Sequence, residues 1–505
     1  MPLGIIEAKG YDVPGTVLLF DGSSEHTSTQ MKHGTGKYAN VVLYPQPSDS
    51  PNDPLNWPLW KKNLTYIVVF FNAIIFSSIP PPVIAPSTIL LSHTLGHSVK
   101  DVTMLTAYQL LLTACYGPIA SALAHKYGKR PQFLFASLMG FIGTLICCTT
   151  RDSYTVLLAG RVIQGFGAAV FESLSVPVIG DMFFVHQRSL RTGFLVMTWT
   201  CIISLVSIFG GTIAEDIGWR YVFIVHLPFT VIGLISIILF LPETQYQGSR
   251  DNRPSPEARM QVEDKGGIES SHQHDERPNE EVLAASSLRE TKKSFVQGLA
   301  IYSGTYSDTN LIKLVFAPFA MLLNPAVVWA IAVGAVNKQV QSFFVTISYI
   351  LAQIWSPPPY NLNAKQNGTF YVGALIGGIL SSTLSPFVGD WIIKRLAKWN
   401  KGIYEPEFRI PMMIFAALFC GIGCDACHEN ATEIFILSMT AKNFLFYGFS
   451  QFMNDWAEEK GPSEVLRTFG IATMCIMATS PLLYTFGKLN RYFMFKTGLI
   501  KKLTG

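Results

Sequence analysis

Apolar stretches long enough to cross a bilayer recur along this 505-residue chain, and they constrain its fold more than any other feature. In lipid a continuous helix satisfies its own N–H and C=O groups, so a run of about 20 apolar residues reads as a spanning helix. Six such runs lie at 64–84, 103–124, 131–150, 154–180, 190–214 and 219–241. Five more follow a polar interval, at 324–350, 368–388, 410–427, 433–452 and 465–487. The pattern predicts an all-α polytopic membrane protein with eleven spans.

Composition excludes the main alternatives. Charged residues make up 14% of the chain, against about 25% in ordinary soluble domains. A soluble chain of this length would need far more charge to solvate its surface. The net charge of +4 is too small to suggest a nucleic-acid partner. All eight cysteines lie in or beside apolar runs, where a free thiol behaves as a small hydrophobe, so no disulfide framework is expected. The first residues show no basic stretch leading into an apolar one, hence no cleavable signal is expected.

Five regions follow from these shifts: a polar tail at 1–62, a helix bundle at 63–242, a charged loop at 243–318, a second bundle at 319–487 and a basic tail at 488–505. Lys and Arg density in short loops sets orientation. Lys126, Lys129 and Arg130 follow the second span, Arg188 and Arg191 the fourth, and Lys394, Arg395, Lys398 and Lys401 the eighth. A cytoplasmic N-terminus puts all of them inside. Eleven spans would then leave the C-terminal tail outside, although Lys488, Arg491, Lys496, Lys501 and Lys502 mark it as an inside segment.

Several motifs carry a family resemblance. Arg161-Val-Ile-Gln164-Gly165-Phe-Gly167 opens the fourth span, and Leu123-Ala-His125-Lys126-Tyr-Gly128-Lys129-Arg130 joins the second to the third. Asp53-Pro54-Leu55-Asn56-Trp57-Pro58, Leu241-Pro242-Glu243-Thr244 and Glu405-Pro406-Glu407 flank other spans, and Phe171-Glu172-Ser173 runs on to Asp181 and Arg188. Together these resemble the major facilitator superfamily, in its fungal drug:proton antiporter branch, over residues 53–500. The resemblance implies two six-helix bundles, a central cavity lined by helices 1, 4, 7 and 10, and proton-coupled movement of small molecules. This chain departs from the pattern at His125 and Ser121, where the family has Asp and Gly. Val206-Ser207 stand where the antiport-linked Gly-Pro pair would precede Gly210 and Gly211. The stretch Gly423-Cys424-Asp425-Ala426-Cys427 looks like the end of helix 9 joined to the end of helix 10, so the second bundle is expected to lack one helix.

Ionisable groups inside a membrane are costly and point to function. Arg161 and Glu172 are 11 positions apart, which at 100° per residue returns them to within about 20° of one face. With Gln164 they predict one wall of a polar pathway. Lys338, beside Asn337, is the expected partner of Glu172 across the bundles, against the plainer reading of a static packing pair. Asp181 with Arg188, and Asp390 with Lys394, occupy matching ends of the two halves and are expected to form gating contacts, or simply solvated charges. Asn367 and Asn430 begin sequons on the predicted outer side and are expected glycosylation sites.

No cofactor and no metal are expected: Cys424-Asp-Ala-Cys427-His428 matches a haem-attachment pattern formally, but no second haem ligand or export signal accompanies it. No catalytic constellation or nucleotide loop is evident. The family resemblance then implies a monomeric secondary transporter of the plasma membrane that exports a small organic molecule against protons. The alternatives are uptake of a cationic nutrient such as a polyamine, and a degenerate product that no longer transports.

Overall fold

The computed structural model describes residues 17–18, 47–48, 50–246, 295–320, 355–356, 360–399, 403–404 and 431–460, with a few isolated positions elsewhere. Its first half is a bundle of long helices. Helix α1 (Leu59–Ala73) runs on through a π-turn, Ile74–Ser78, and is followed by the short α2 (Thr88–Leu95). Then come α3 (Val99–Tyr127), α4 (Lys129–Thr149), α5 (Tyr154–Met182), α6 (Val185–Asp216) and α7 (Trp219–Phe240). Six of these helices are long and apolar enough to cross a membrane, and they overlie the six predicted runs. In the second half α8 (Leu311–Ala320), α9 (Ala364–Thr369), α10 (Tyr371–Trp399) and α11 (Ala431–Lys460) are described. Helix α8 starts inside the segment expected to be loop, because Lys313 is its only charge and its other residues can cover α3. The predicted spans at 324–350, 410–427 and 465–487 lie outside the described residues, apart from isolated positions.

Local chemistry sets the helix ends. Ser98 and Asp101 form a reciprocal capping box at the start of α3, each side chain accepting from the other's backbone N–H at 3.1 Å. Gly128, at φ +96°, makes the sharp break between α3 and α4. Helices α4 and α5 cross where Gly143 and Gly160 meet; a Cβ on Gly143 would lie 2.7 Å from the Gly160 carbonyl oxygen. Small residues allow this approach, and close packing replaces the hydrophobic effect as the cohesive term in lipid. The apolar core joins Val69, Phe76, Phe133, Phe171 and Ile179 from α1 and its π-turn, α4 and α5.

The two halves meet along two seams. Helix α11 packs antiparallel to α3, as four contacts in register show. Lys100 pairs with Asp455 at 2.5 Å, and Gln451 Nε2 donates to Met104 Sδ at 3.5 Å. The Tyr108 and Tyr447 rings lie 5.8 Å apart, and Gly117 faces Thr440. On the other seam α9 abuts the end of α6: Ala364 N–H donates to Glu215 Oε2 at 3.1 Å, and Lys365 pairs with Asp216 at 2.8 Å. Helix α10 then runs back along α6. Apart from helices, a two-residue antiparallel pair joins Val17–Leu18 to Ile403–Tyr404.

Candidate functional site

Helix α5 places its polar stripe at the centre. Arg161 is completely buried, and three partners hold it. Its Nη1 donates to the Pro80 carbonyl at 2.6 Å and to Gln164 Oε1 at 3.2 Å, and its Nη2 donates to Thr106 Oγ1 at 2.9 Å. The run Pro80-Pro81-Pro82 supplies no backbone donors, so it ends the first span and leaves carbonyls for other partners. Gln164 Nε2 in turn donates to Thr144 Oγ1 at 2.9 Å, tying α4 into the network. Arg161 and Gln164, predicted from spacing, thus sit in one polar cluster that draws on four spans.

Glu172 lies three turns further along α5, with 9% of its side chain exposed. The residue that meets it is Lys442 on α11, 15% exposed, in direct ion-pair contact with Glu172 Oε1. Asn443 Nδ2 donates to the other carboxylate oxygen at 3.2 Å. The pair links the two halves of the chain at mid-depth. The expected partners Lys338 and Asn337 lie outside the described residues. Sequence reasoning missed Lys442, although the rule that selects Glu172 applies to it equally: it is a charge inside the apolar run 433–452.

Several polar atoms around this layer have no hydrogen-bond partner. Both ends of the buried Gln109 amide, and Asn443 Oδ1, lack one. Asn72, a polar residue of the first span, donates instead to Val68 O and Ser236 Oγ, both at 2.8 Å, within the first bundle.

One end of the bundle carries the loop residues singled out in sequence. Glu243, beyond α7, accepts from the Lys129 and Arg130 backbone N–H groups at 3.0 Å each and from that of Gln245 at 2.8 Å. It therefore caps the N-terminus of α4, where backbone donors are otherwise orphaned. Burial raises its carboxyl pKa above the usual value, although these amide bonds and Lys129 pull the other way. The neighbouring Tyr306 phenol is pushed up to about 12, chiefly by burial and then by Glu243. Lys129 makes an ion pair with Asp181, and Arg130 donates to Ile238 O at 3.0 Å and to Leu241 O. Arg188 reaches back to the carbonyls of Phe183, at 2.8 Å, and Gly180. Asp181 is thus shared with Lys129 across helices, where sequence points to Arg188. Lys126 Nζ donates to Thr309 O at 3.1 Å, and His125 is exposed.

At the other end, Gly210 and Gly211 admit backbone on both sides: added Cβ atoms would lie 2.7 Å from Val83 O and 2.5 Å from Ala364 O. Asn367, an expected glycosylation site on the predicted outer side, is 2% exposed and donates to Ser356 Oγ at 2.8 Å. Asp390 and Lys394 lie on α10 with undescribed side chains, and Asn430 lies outside the described residues. Among the described residues there is no grouping of His, Cys, Asp and Glu that could hold a metal ion.

Comparison with known proteins agrees with this architecture. The Major Facilitator Superfamily profile matches residues 64–424. An uncharacterised MFS-type transporter of Schizosaccharomyces pombe is 24% identical over 83% of this chain and 76% of its own length. The MFS-type transporter hepF of Aspergillus oryzae is 23% identical over 80% of the chain and 75% of its own length. The efflux pump FUS6 of Gibberella fujikuroi is 27% identical over a shorter stretch, 39% of the chain and 34% of its own length. In structure, a mutant of the peptide transporter POT superposes with a TM-score of 0.51 at 12% identity, over 83% of this chain and 93% of that one. With the family profile matched along most of its length and the two bundles meeting on a buried ion pair, the chain belongs to the Major Facilitator Superfamily and is a multi-pass membrane protein.

Proposed function

We propose that this chain is a secondary transporter that moves a small organic molecule outward across the plasma membrane in exchange for protons. The observation that carries the reading is the contact of Glu172 with Lys442, which joins α5 to α11 in the middle of the molecule. Such a pair holds the halves together while both members are charged. Protonation of the carboxylate removes the attraction, and the halves are then free to part. Arg161, tied to the end of the first span, α3 and α4, fixes the polar wall beside it. The Lys129–Asp181 contact and the Glu243 cap hold the basic end, which faces the cytoplasm by the density of Lys and Arg there. Gly210 and Gly211 let the opposite end close on α9. Relatives named as efflux pumps or as transporters of fungal biosynthesis clusters support the outward direction.

The test is flux from proteoliposomes holding the purified chain and a small-molecule panel, with and without an imposed pH gradient. The expected result is gradient-dependent flux that Glu172→Gln abolishes. Gradient-dependent flux at the wild-type rate in Glu172→Gln would overturn the role given to this carboxylate.

A further inference from the structure

A cation stands between the first and fifth spans at the basic end of the molecule. Arg191 opens the spanning stretch of α6, and Leu59 opens that of α1. The Arg191 guanidinium is half-buried and lies 3.9 Å from the centre of the Phe183 ring. Its Nη1 donates to Gln187 O at 3.1 Å and its Nη2 to Asn63 Oδ1 at 3.5 Å, while the Tyr66 hydroxyl donates to the Arg191 carbonyl at 3.1 Å. These partners are all neutral, and among the described residues Arg191 makes no ion pair with a carboxylate. A guanidinium carries five N–H donors in a planar fork and stays charged. Where a span enters the membrane, such a charge is costly without a counter-ion.

The surroundings indicate what that counter-ion is. Trp60, Asn63 and Ile67 follow one another at three and four residues, so they share one face of α1, and all three are exposed. Phe194, exposed on α6 close to one turn beyond Arg191, stacks on Phe70 of α1 at 5.3 Å. The crevice between the two helices thus has apolar side chains along its wall, with Arg191 and Asn63 at its head. We propose that this crevice binds an anionic phospholipid of the cytoplasmic leaflet, its phosphate against Arg191 and Asn63 and its acyl chains along Ile67 and Phe194. The planar fork of a guanidinium matches phosphate oxygens two at a time. Trp60 stands at headgroup level, where an indole is favourable. Anionic lipids populate the cytoplasmic leaflet, and Lys and Arg density assigns this end to that side. A soluble phosphate would meet the same guanidinium, but the exposed apolar side chains beside it suit acyl chains.

The experiment uses the full chain in detergent with three probes: dioleoyl phosphatidylserine, dioleoyl phosphatidylcholine and soluble glycerophosphoserine. Retained lipid is counted by native mass spectrometry, and affinity is read by thermal stabilisation. The serine lipid should bind at least about tenfold more tightly than the choline lipid, and glycerophosphoserine should bind poorly. Arg191→Gln should erase the preference, and Arg191→Lys should keep part of it. Asn63→Asp places a carboxylate beside the guanidinium and should also erase the preference with Arg191 still in place, so the test survives a folding defect in Arg191→Gln. Equal binding of the two lipids overturns the assignment, as does a preference unchanged in Arg191→Gln or Asn63→Asp. Glycerophosphoserine binding as tightly as the serine lipid would make this a soluble-phosphate site and overturn it too.

Discussion

Uncoupling Glu172 from Lys442 should reveal how much of the join between the two halves rests on this contact. The side chains are 9% and 15% exposed, so water screens them little. At a separation of about 4 Å and an effective dielectric of about 20, opposite unit charges attract by about 4 kcal/mol. Removing one member of such a buried pair costs about 3–5 kcal/mol, because the other is left desolvated and alone. Glu172→Gln strands the Lys442 ammonium, and Lys442→Met strands the carboxylate against Asn443, so each single change should fall in this range. The double variant leaves no charge, and the new amide at position 172 can still accept from Asn443, so it should recover most of the loss. Reversible unfolding in mixed micelles measures the four corners of the cycle. A coupling energy of about 3 kcal/mol is expected. Single losses that simply add, to within about 0.5 kcal/mol, would refute the idea that the pair acts as a unit.

Other consequences are equally open to measurement. Arg161→Lys keeps the charge but cannot reach Pro80 O, Gln164 and Thr106 together, so flux should fall at least about tenfold while surface expression is retained; unchanged flux would show that charge alone suffices. Gly211→Val places atoms against the Ala364 carbonyl, 2.5 Å from the Cβ position, and should loosen the seam between α6 and α9. Reaction of a thiol placed at position 364 with an impermeant maleimide would rise, and unchanged labelling would contradict the close approach. Gly128→Ala forces a Cβ onto Glu243 at φ +96°, and should cost about 1–2 kcal/mol in backbone strain alone, visible as a lowered melting temperature. Glu243 has a folded pKa above its unfolded one, so its contribution is fully present below the unfolded value of about 4.3 and is lost as pH rises through the folded value. Thermal stability should therefore fall over that window in the wild type. It should be flatter with pH, though lower, in Glu243→Gln, and identical pH profiles would exclude the linkage.

Much of the first half was legible because membrane spans announce themselves by length and composition alone. The stripe of Arg161, Gln164 and Glu172 follows from helical periodicity, and all three lie buried on α5. Partners across helices are another matter. Periodicity places residues on a face but carries no information about which neighbour that face meets. Hence it points Glu172 toward Lys338, in a different segment, and lets Lys442 pass as part of an apolar run. Glu243 is recognisable only as part of a motif after the sixth span; its capping of α4 depends on a chain return that brings residues 113 positions apart together. Asn367 is a different case, since a sequon states acceptor chemistry and is silent about the burial that the fold gives this side chain.

The register of α11 against α3 bears on a question of parity. Lys100 opens α3 and Asp455 closes α11, so Ala431 stands at the same end of the molecule as Lys126 and Gly128. Helix α10, starting beside Asp216 and returning along α6, delivers Trp399 to that same end. A chain that leaves one face and reappears on it has crossed an even number of times. The end of α10 and the start of α11 thus share the face that carries Lys126, Lys129 and Arg130, and the start of α10 and the end of α11 share the opposite one.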